Sequence, residues 1–265
     1  MADEPRPTDA ELARQARQHL ESLRLAGVEW LPATTEPVAP PQPATTAAAP
    51  PATDFAAQKE LLFGAGETAL LTADQRRHEL AVLSATVSQC TRCPGLAATR
   101  TQTVFGVGPV DAELCFIGEA PGADEDAQGE PFVGPAGQLL NRILVAMGMK
   151  REEVYICNIL RCRPPGNRAP LPDEAHNCRE WLERQFDLVR PRFICALGAT
   201  AAQHLLGTTV SIGKLRGRFL DYRGIPVLCT YHPAFLLRSP GNKKDVWEDM
   251  KKLLARMGRP VPQAR

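Results

Sequence analysis

Net charge is nearly absent from this chain of 265 residues: 31 lysines and arginines face 30 aspartates and glutamates, leaving +1. That balance excludes a generally basic field for nucleic acid, so any such contact must come from local patches. No apolar run approaches the roughly 18–20 residues that span a bilayer, so no membrane segment is expected. The opening Met-Ala-Asp-Glu-Pro lacks a basic stretch followed by an apolar one, which argues against a secretory signal. A cytoplasmic protein is the expectation. The phosphate-cradling patterns GxxxxGK[ST] and GxGxxG are also missing, and no internal repeat is visible.

Cysteine is not lacking. The chain has eight, and in a reducing compartment these are not read as disulfides. Cys115, Cys157, Cys195 and Cys229 lie inside short apolar runs ("LCFIGE", "VYICNI", "FICALG", "VLCTYH") and read as core thiols. Cys90, Cys93, Cys162 and Cys178 sit among polar neighbours instead. Two of the four form Cys90-x2-Cys93, and 68 residues separate Cys93 from Cys162. Four thiolates can hold zinc tetrahedrally or an iron–sulfur cluster, and spacing alone does not choose. A thioredoxin-type redox pair is disfavoured, because there CxxC follows a strand and opens a helix. Here it closes one.

The chain divides in three. Thr8 and Glu11 make a capping box for an amphipathic helix carrying Leu12, Ala16, Leu20 and Leu23 on one face. This places an N-terminal helical segment over 1–31, with room for a protein partner. Residues 32–71 are dominated at first by proline and alanine and read as a semi-rigid linker. From 72 to 260 the chain becomes globular. Strands are expected at 113–118, 153–159, 192–197 and 226–230. Helices are expected at 72–88, 136–147, 172–189, 199–206 and 243–256. "GRFLDYRGIPVLCTYH" reads as a small hairpin feeding the last strand. The alternation predicts an α/β fold with a central, mainly parallel four-stranded sheet flanked by helices.

Three polar segments fall at the carboxyl ends of these strands, where open α/β sheets gather their ligands. They are "GEAPGADEDAQGEPFVG" after the first, "NILRCRPPGNR" closing the second, and "YHPAFLLR" after the last. Taken with the four cysteines and their order, they give the chain a clear likeness. From about Ser88 to Met257 it resembles the iron–sulfur-containing family 4 uracil-DNA glycosylases of the uracil-DNA glycosylase superfamily.

The resemblance implies excision of uracil from DNA in base excision repair, in a bacterial or archaeal cytosol, by a monomer. It implies that Glu119 and the backbone at Ala120 position a water near the glycosidic bond. Phe132 would stack on uracil, Asn158 would read the base edge, and His232 would stand beside O2. Leu236, Leu237 and Arg238 would enter the base stack. Cys90, Cys93, Cys162 and Cys178 would hold a [4Fe–4S] cluster, with zinc the less favoured occupant. Arg163 and Arg168, with Arg161, Lys214, Arg216, Arg218, Lys243 and Lys244, are expected on a phosphate-binding rim. Asp126 is open between a catalytic role and a solvated loop carboxylate.

Two rivals stay in view. One is a non-catalytic iron–sulfur DNA-binding or redox module. The other is a relative that crosslinks to the excised site through a histidine after the key asparagine. The segment after Asn158 has no histidine, which disfavours the second.

Overall fold

A computed structural model describes residues 71–262. The helix expected within 1–31 and all but the last residue of the 32–71 linker lie outside the described residues.

Helix α1 (Ala73–Ser88) opens with the capping box anticipated from Thr72 and Gln75: the Gln75 amide donates to Thr72 Oγ1, and the Thr72 amide donates to Gln75 Oε1. Leu83 and Val87 are its buried apolar contacts, and Arg76 is pinned by the carbonyls of Val110 and Leu188. The short α2 (Pro94–Thr99) follows directly.

Strands β1 (Leu114–Gly118), β2 (Tyr155–Asn158), β3 (Phe193–Leu197), β4 (Phe219–Tyr222) and β5 (Ile225–Thr230) form one sheet in the order β2-β1-β3-β5-β4. All neighbours are parallel except β4 with β5. The sequence pattern counts four strands because β4 was read only as an arm of the hairpin. That arm joins the sheet as a fifth, antiparallel edge strand, and its mixed exposure fits the edge.

Every residue of β1, β2 and β3 is buried, as expected of parallel strands covered on both faces. Side chains alternate between those faces with a period of two. Cys115, Ile117, Tyr155, Cys157, Ile194, Ala196 and Cys229 join one core. It is covered by α1, α5 (Pro172–Val189) and α6 (Ala199–Leu206). Leu114, Phe116, Ile156, Phe193, Cys195 and Leu228 join the other. Its cover comes from α4 (Pro135–Ala146), α8 (Pro233–Arg238) and α9 (Lys243–Arg256). The four apolar-run cysteines are therefore core residues.

Two short helices complete the order: α3 (Ala123–Gln128) after β1 and α7 (Ile212–Leu215) before β4. The chain leaves β1 for β2 on one side and returns past it to β3 on the other. The topological switch point thus lies between β1 and β3, and the crevice at their carboxyl ends is where this architecture takes ligands. Among the described residues no helix is long and apolar enough to cross a membrane.

Candidate active site

A cavity of about 500 Å³ opens at that crevice, within the usual range for small-molecule sites. Glu119, Ala120, Phe132, Asn158 and His232 all line it, as do Arg168, Phe235 and Arg238. The five residues expected at the base come from three separate strand ends and one loop. The fold brings them together.

Gly118, the last residue of β1, makes the meeting sterically feasible. A Cβ there would stand 2.4 Å from Asn158 Oδ1 and 2.6 Å from the Phe132 ring. Phe132 itself has φ +55, a region that costs a bulky residue energy and persists only where the surroundings enforce it. Three contacts enforce it. Gly137 lets α4 approach so closely that a Cβ would fall 1.8 Å from the Phe132 carbonyl oxygen. Arg151 donates to the Pro131 carbonyl on one side. On the other, the amides of Val133 and Gly134 both donate to Glu125 Oε1 at 3.0 Å.

Asn158 is 2% exposed. Its backbone is held by Arg161, which donates to its carbonyl. Among the described residues no group hydrogen-bonds its carboxamide, and the residue lines the cavity, so its donor and acceptor are available to a ligand there.

His232 is the N-cap of α8, and its Nδ1 accepts the Ala234 amide at 3.1 Å. An accepting Nδ1 carries no proton, so in neutral imidazole the proton sits on Nε2. Burial, aided by the positive charge of Arg238, holds the His232 pKa down to about 4. Its ring centroid lies 5.6 Å from that of Phe132. A neutral hydrogen-bond donor thus stands next to a flat aromatic platform.

The four polar-context cysteines also converge. Cys90 and Cys93 after α1, Cys162 after β2 and Cys178 in α5 line one small cavity with Arg92, Arg100, Arg161, Asn177 and Trp181. Arg100 donates to Cys162 Sγ at 3.1 Å, and Asn177 donates to Cys93 Sγ at 3.7 Å. Burial raises the pKa of Cys93, Cys162 and Cys178, so binding a metal there must displace protons. Among the described residues no three His, Cys, Asp or Glu side chains meet closely enough to hold a single ion.

The uracil DNA glycosylase superfamily matches residues 105–251, more than half of the chain. The chain belongs to the uracil DNA glycosylase superfamily. It is similar to the type-4 uracil-DNA glycosylase of Thermotoga maritima, 44% identical over 67% of this chain and 94% of the relative. The type-4 enzyme of Archaeoglobus fulgidus is 41% identical over 66% and 92%. A type-5 uracil-DNA glycosylase of Pyrobaculum aerophilum is 30% identical over 55% and 78%.

On this superfamily scaffold the expected rim needs four corrections. Leu236 is 1% exposed and packs in the second core, because it faces inward on α8; only Leu237, 42% exposed, is presented outward beside Arg238. Arg161 is buried rather than on the rim. Arg216 is held by Asp249, which also accepts the Thr230 hydroxyl and so braces the end of β5. Asp126 is not a solvated loop carboxylate: it is buried, and both its oxygens accept the Thr101 amide at 3.0 Å. Arg168 reaches the cavity while paired with Glu174, and Arg163 leans on Asn167 outside the cavity lining.

The residue that sequence reasoning missed is Glu125. One oxygen takes the Val133 and Gly134 amides and the other takes the Gly122 amide at 3.0 Å, tying "GEAPG" to "PFVG". Its position three residues after a glycine at a helix start was the available signal.

Two predictions follow from this geometry. Glu125→Ala leaves three amides without their charged acceptor and lowers unfolding stability by about 3 kcal/mol, read from urea denaturation; an unchanged midpoint would refute the brace. For His232, the folded pKa of about 4 lies below the unfolded value of about 6.5. Its contribution to stability is full above about pH 6.5 and is lost as pH falls toward about 4. Acidification from about pH 7 to about 4.5 should therefore cost the wild type about 2–3 kcal/mol more than it costs His232→Gln.

Proposed function

We propose that this chain flips uracil out of DNA and hydrolyses its N-glycosidic bond, leaving an abasic site for repair. The observation that carries the reading is the meeting of Phe132, the unpaired Asn158 carboxamide and neutral His232 in one cavity of a superfamily member.

Chemistry on a base requires taking it out of the stack, which costs a few kcal/mol. Leu237 fills the vacated space and Arg238 holds the backbone nearby. The flipped ring stacks on Phe132. Asn158 then donates to O4 and accepts from N3–H. Cytosine reverses both groups and leaves buried atoms unpaired, a mismatch that can discriminate about 10⁴-fold. As the C1′–N1 bond breaks, its electron pair leaves with uracil, and His232 donates Nε2–H to O2 where the negative charge develops. Glu119 faces the electron-poor sugar and, with the Ala120 backbone, orients the water that adds to C1′. The proton released from that water passes to Glu119 and on to solvent.

The four cysteines fit a [4Fe–4S] cluster better than zinc. They are all-thiol, they receive hydrogen bonds from Arg100 and Asn177, and they line one cavity; the likeness to iron–sulfur-containing glycosylases is what favours the cluster. When bound there, the cluster supplies a covalent tie between the end of α1, the loop after β2 and α5. DNA contact rests on Arg168, Arg163 and Arg238 rather than on net charge, so binding should weaken steeply with salt.

A duplex and a single strand, each with one uracil, test the reading through alkali cleavage at the abasic site. Wild-type protein should cleave at uracil. His232→Ala and Glu119→Ala should slow excision by roughly 10²-fold or more at temperatures where both variants remain folded. Asn158→Asp should narrow the preference for uracil over cytosine. Tight binding without excision by iron-loaded protein would instead make this a non-catalytic DNA-binding module.

A further inference from the structure

Arg161 is 1% exposed and is the bulkiest of the fully buried side chains. Its guanidinium donates to the carbonyls of Asn158 and Ile159 and to Gln185 Oε1, and its Nε has no acceptor. All of these acceptors are neutral. Among the described residues no carboxylate pairs with it. Arg76 is likewise bound to carbonyls, but at 9% exposure it keeps more contact with water. Arginine cannot shed its proton inside a protein, and a buried charge without an opposite charge is strongly disfavoured. Something must supply the negative charge.

The cysteine cavity is the neighbour that can. Arg161 lines it together with Cys162, its neighbour in sequence, and Cys178. Four neutral thiols would offer a guanidinium little. Four thiolates sharing iron and sulfide carry net negative charge. On its other side the same guanidinium fixes the backbone of Asn158, while Gln185 is anchored through Nε2 to the Phe105 carbonyl and the Tyr155 hydroxyl. One side chain therefore spans the thiol site and the strand end that presents the base reader.

We propose that Arg161 is the counter-ion of the four-cysteine metal site and the positioning residue of Asn158, so that base reading depends on the metal site. The proposal rests on the cluster reading above. The experiment separates the two by measuring iron first. Wild-type protein purified without oxygen is assayed for iron per chain and visible absorbance. An active wild type without iron removes the cluster reading and this proposal with it.

With iron present, Arg161→Met and Arg161→Lys are compared with wild type. One readout is the lifetime of the visible absorbance under an iron chelator, and the other is inhibition by free uracil. Arg161→Met should shorten the lifetime roughly tenfold or more and weaken uracil inhibition by a similar factor. Arg161→Lys keeps the charge but loses the fork, so it should restore the lifetime without restoring uracil inhibition. Wild-type behaviour of Arg161→Met in both readouts overturns the proposal. A Lys variant that bleaches as fast as the Met variant overturns the counter-ion role. Should Arg161→Met not fold, Arg161→Gln replaces it in the lifetime comparison. Gln185→Leu, which leaves the charge and takes one acceptor, then tests positioning: uracil inhibition should weaken with iron content unchanged, and unchanged inhibition overturns that role.

Discussion

The bare backbone of Gly118 is the constraint on which the site depends. Phe132 and Asn158 arrive from different directions, one from a loop after α3 and the other from the end of β2. Both occupy the volume that a methyl group on Gly118 would take. Only a residue without a Cβ can end β1 with a ring and a carboxamide pressed against it. Gly137 repeats the device one step out, where α4 meets the Phe132 carbonyl. Close packing of this kind has no slack, and it holds Phe132 at its unfavourable backbone angle. The strain belongs to the platform that the base must meet.

The remaining parts of the site are held by charges turned inward. Glu125 gathers three amides from two loops, Arg161 gathers carbonyls at the end of β2, and Asp249 gathers Arg216 and Thr230 at the end of β5. Glu125 and Arg161 serve the polar backbone of strand-end loops, and Asp249 ties two side chains at the end of β5. Charge-assisted hydrogen bonds are stronger and more directional than neutral ones, so a few of them can fix loops that carry little apolar surface. Glu119, Asn158 and His232 are thereby left free to face a ligand.

Much of this was legible in the sequence, for identifiable reasons. The start of α1 follows from its capping box, α5, α6 and α9 follow from helical runs between or after the strands, and β1 to β3 follow from continuous apolar runs. That Glu119, Ala120, Phe132, Asn158 and His232 share one cavity was legible because strand ends are where this architecture collects ligands, and because the motifs resemble a known superfamily. What was not legible is which way a short element turns. Asp126 and Glu125 are adjacent carboxylates on a six-residue helix; one faces Thr101 and the other the platform loop. Leu236 and Leu237 are adjacent on another short helix, and only the second faces out. Arg161 and Arg163 flank one cysteine, yet the first is buried and the second is not. Neighbours on a helix point about 100° apart, and a two-turn helix has no pattern long enough to reveal which face is covered.

His232 is kept neutral by burial, with the positive charge of Arg238 adding to the effect. A cationic imidazole would attract a phosphate or a water as readily as a departing base. It would also lose the Ala234 hydrogen bond that fixes the ring, because a protonated Nδ1 cannot accept. In the proposed reaction the neutral form gives a weaker donor, but one already aimed, whose interaction with O2 would grow only as uracil gains negative charge. Interactions that strengthen on the way to the transition state accelerate a reaction, whereas uniform attraction does not. The permanent cations near the cavity, Arg168 and Arg238, are exposed side chains at its margin. There, attraction to the DNA backbone brings substrate in without competing at the bond that breaks. In the proposed reaction, the catalytic polarity of His232 and the binding charge of Arg238 lie at opposite ends of one short helix, α8.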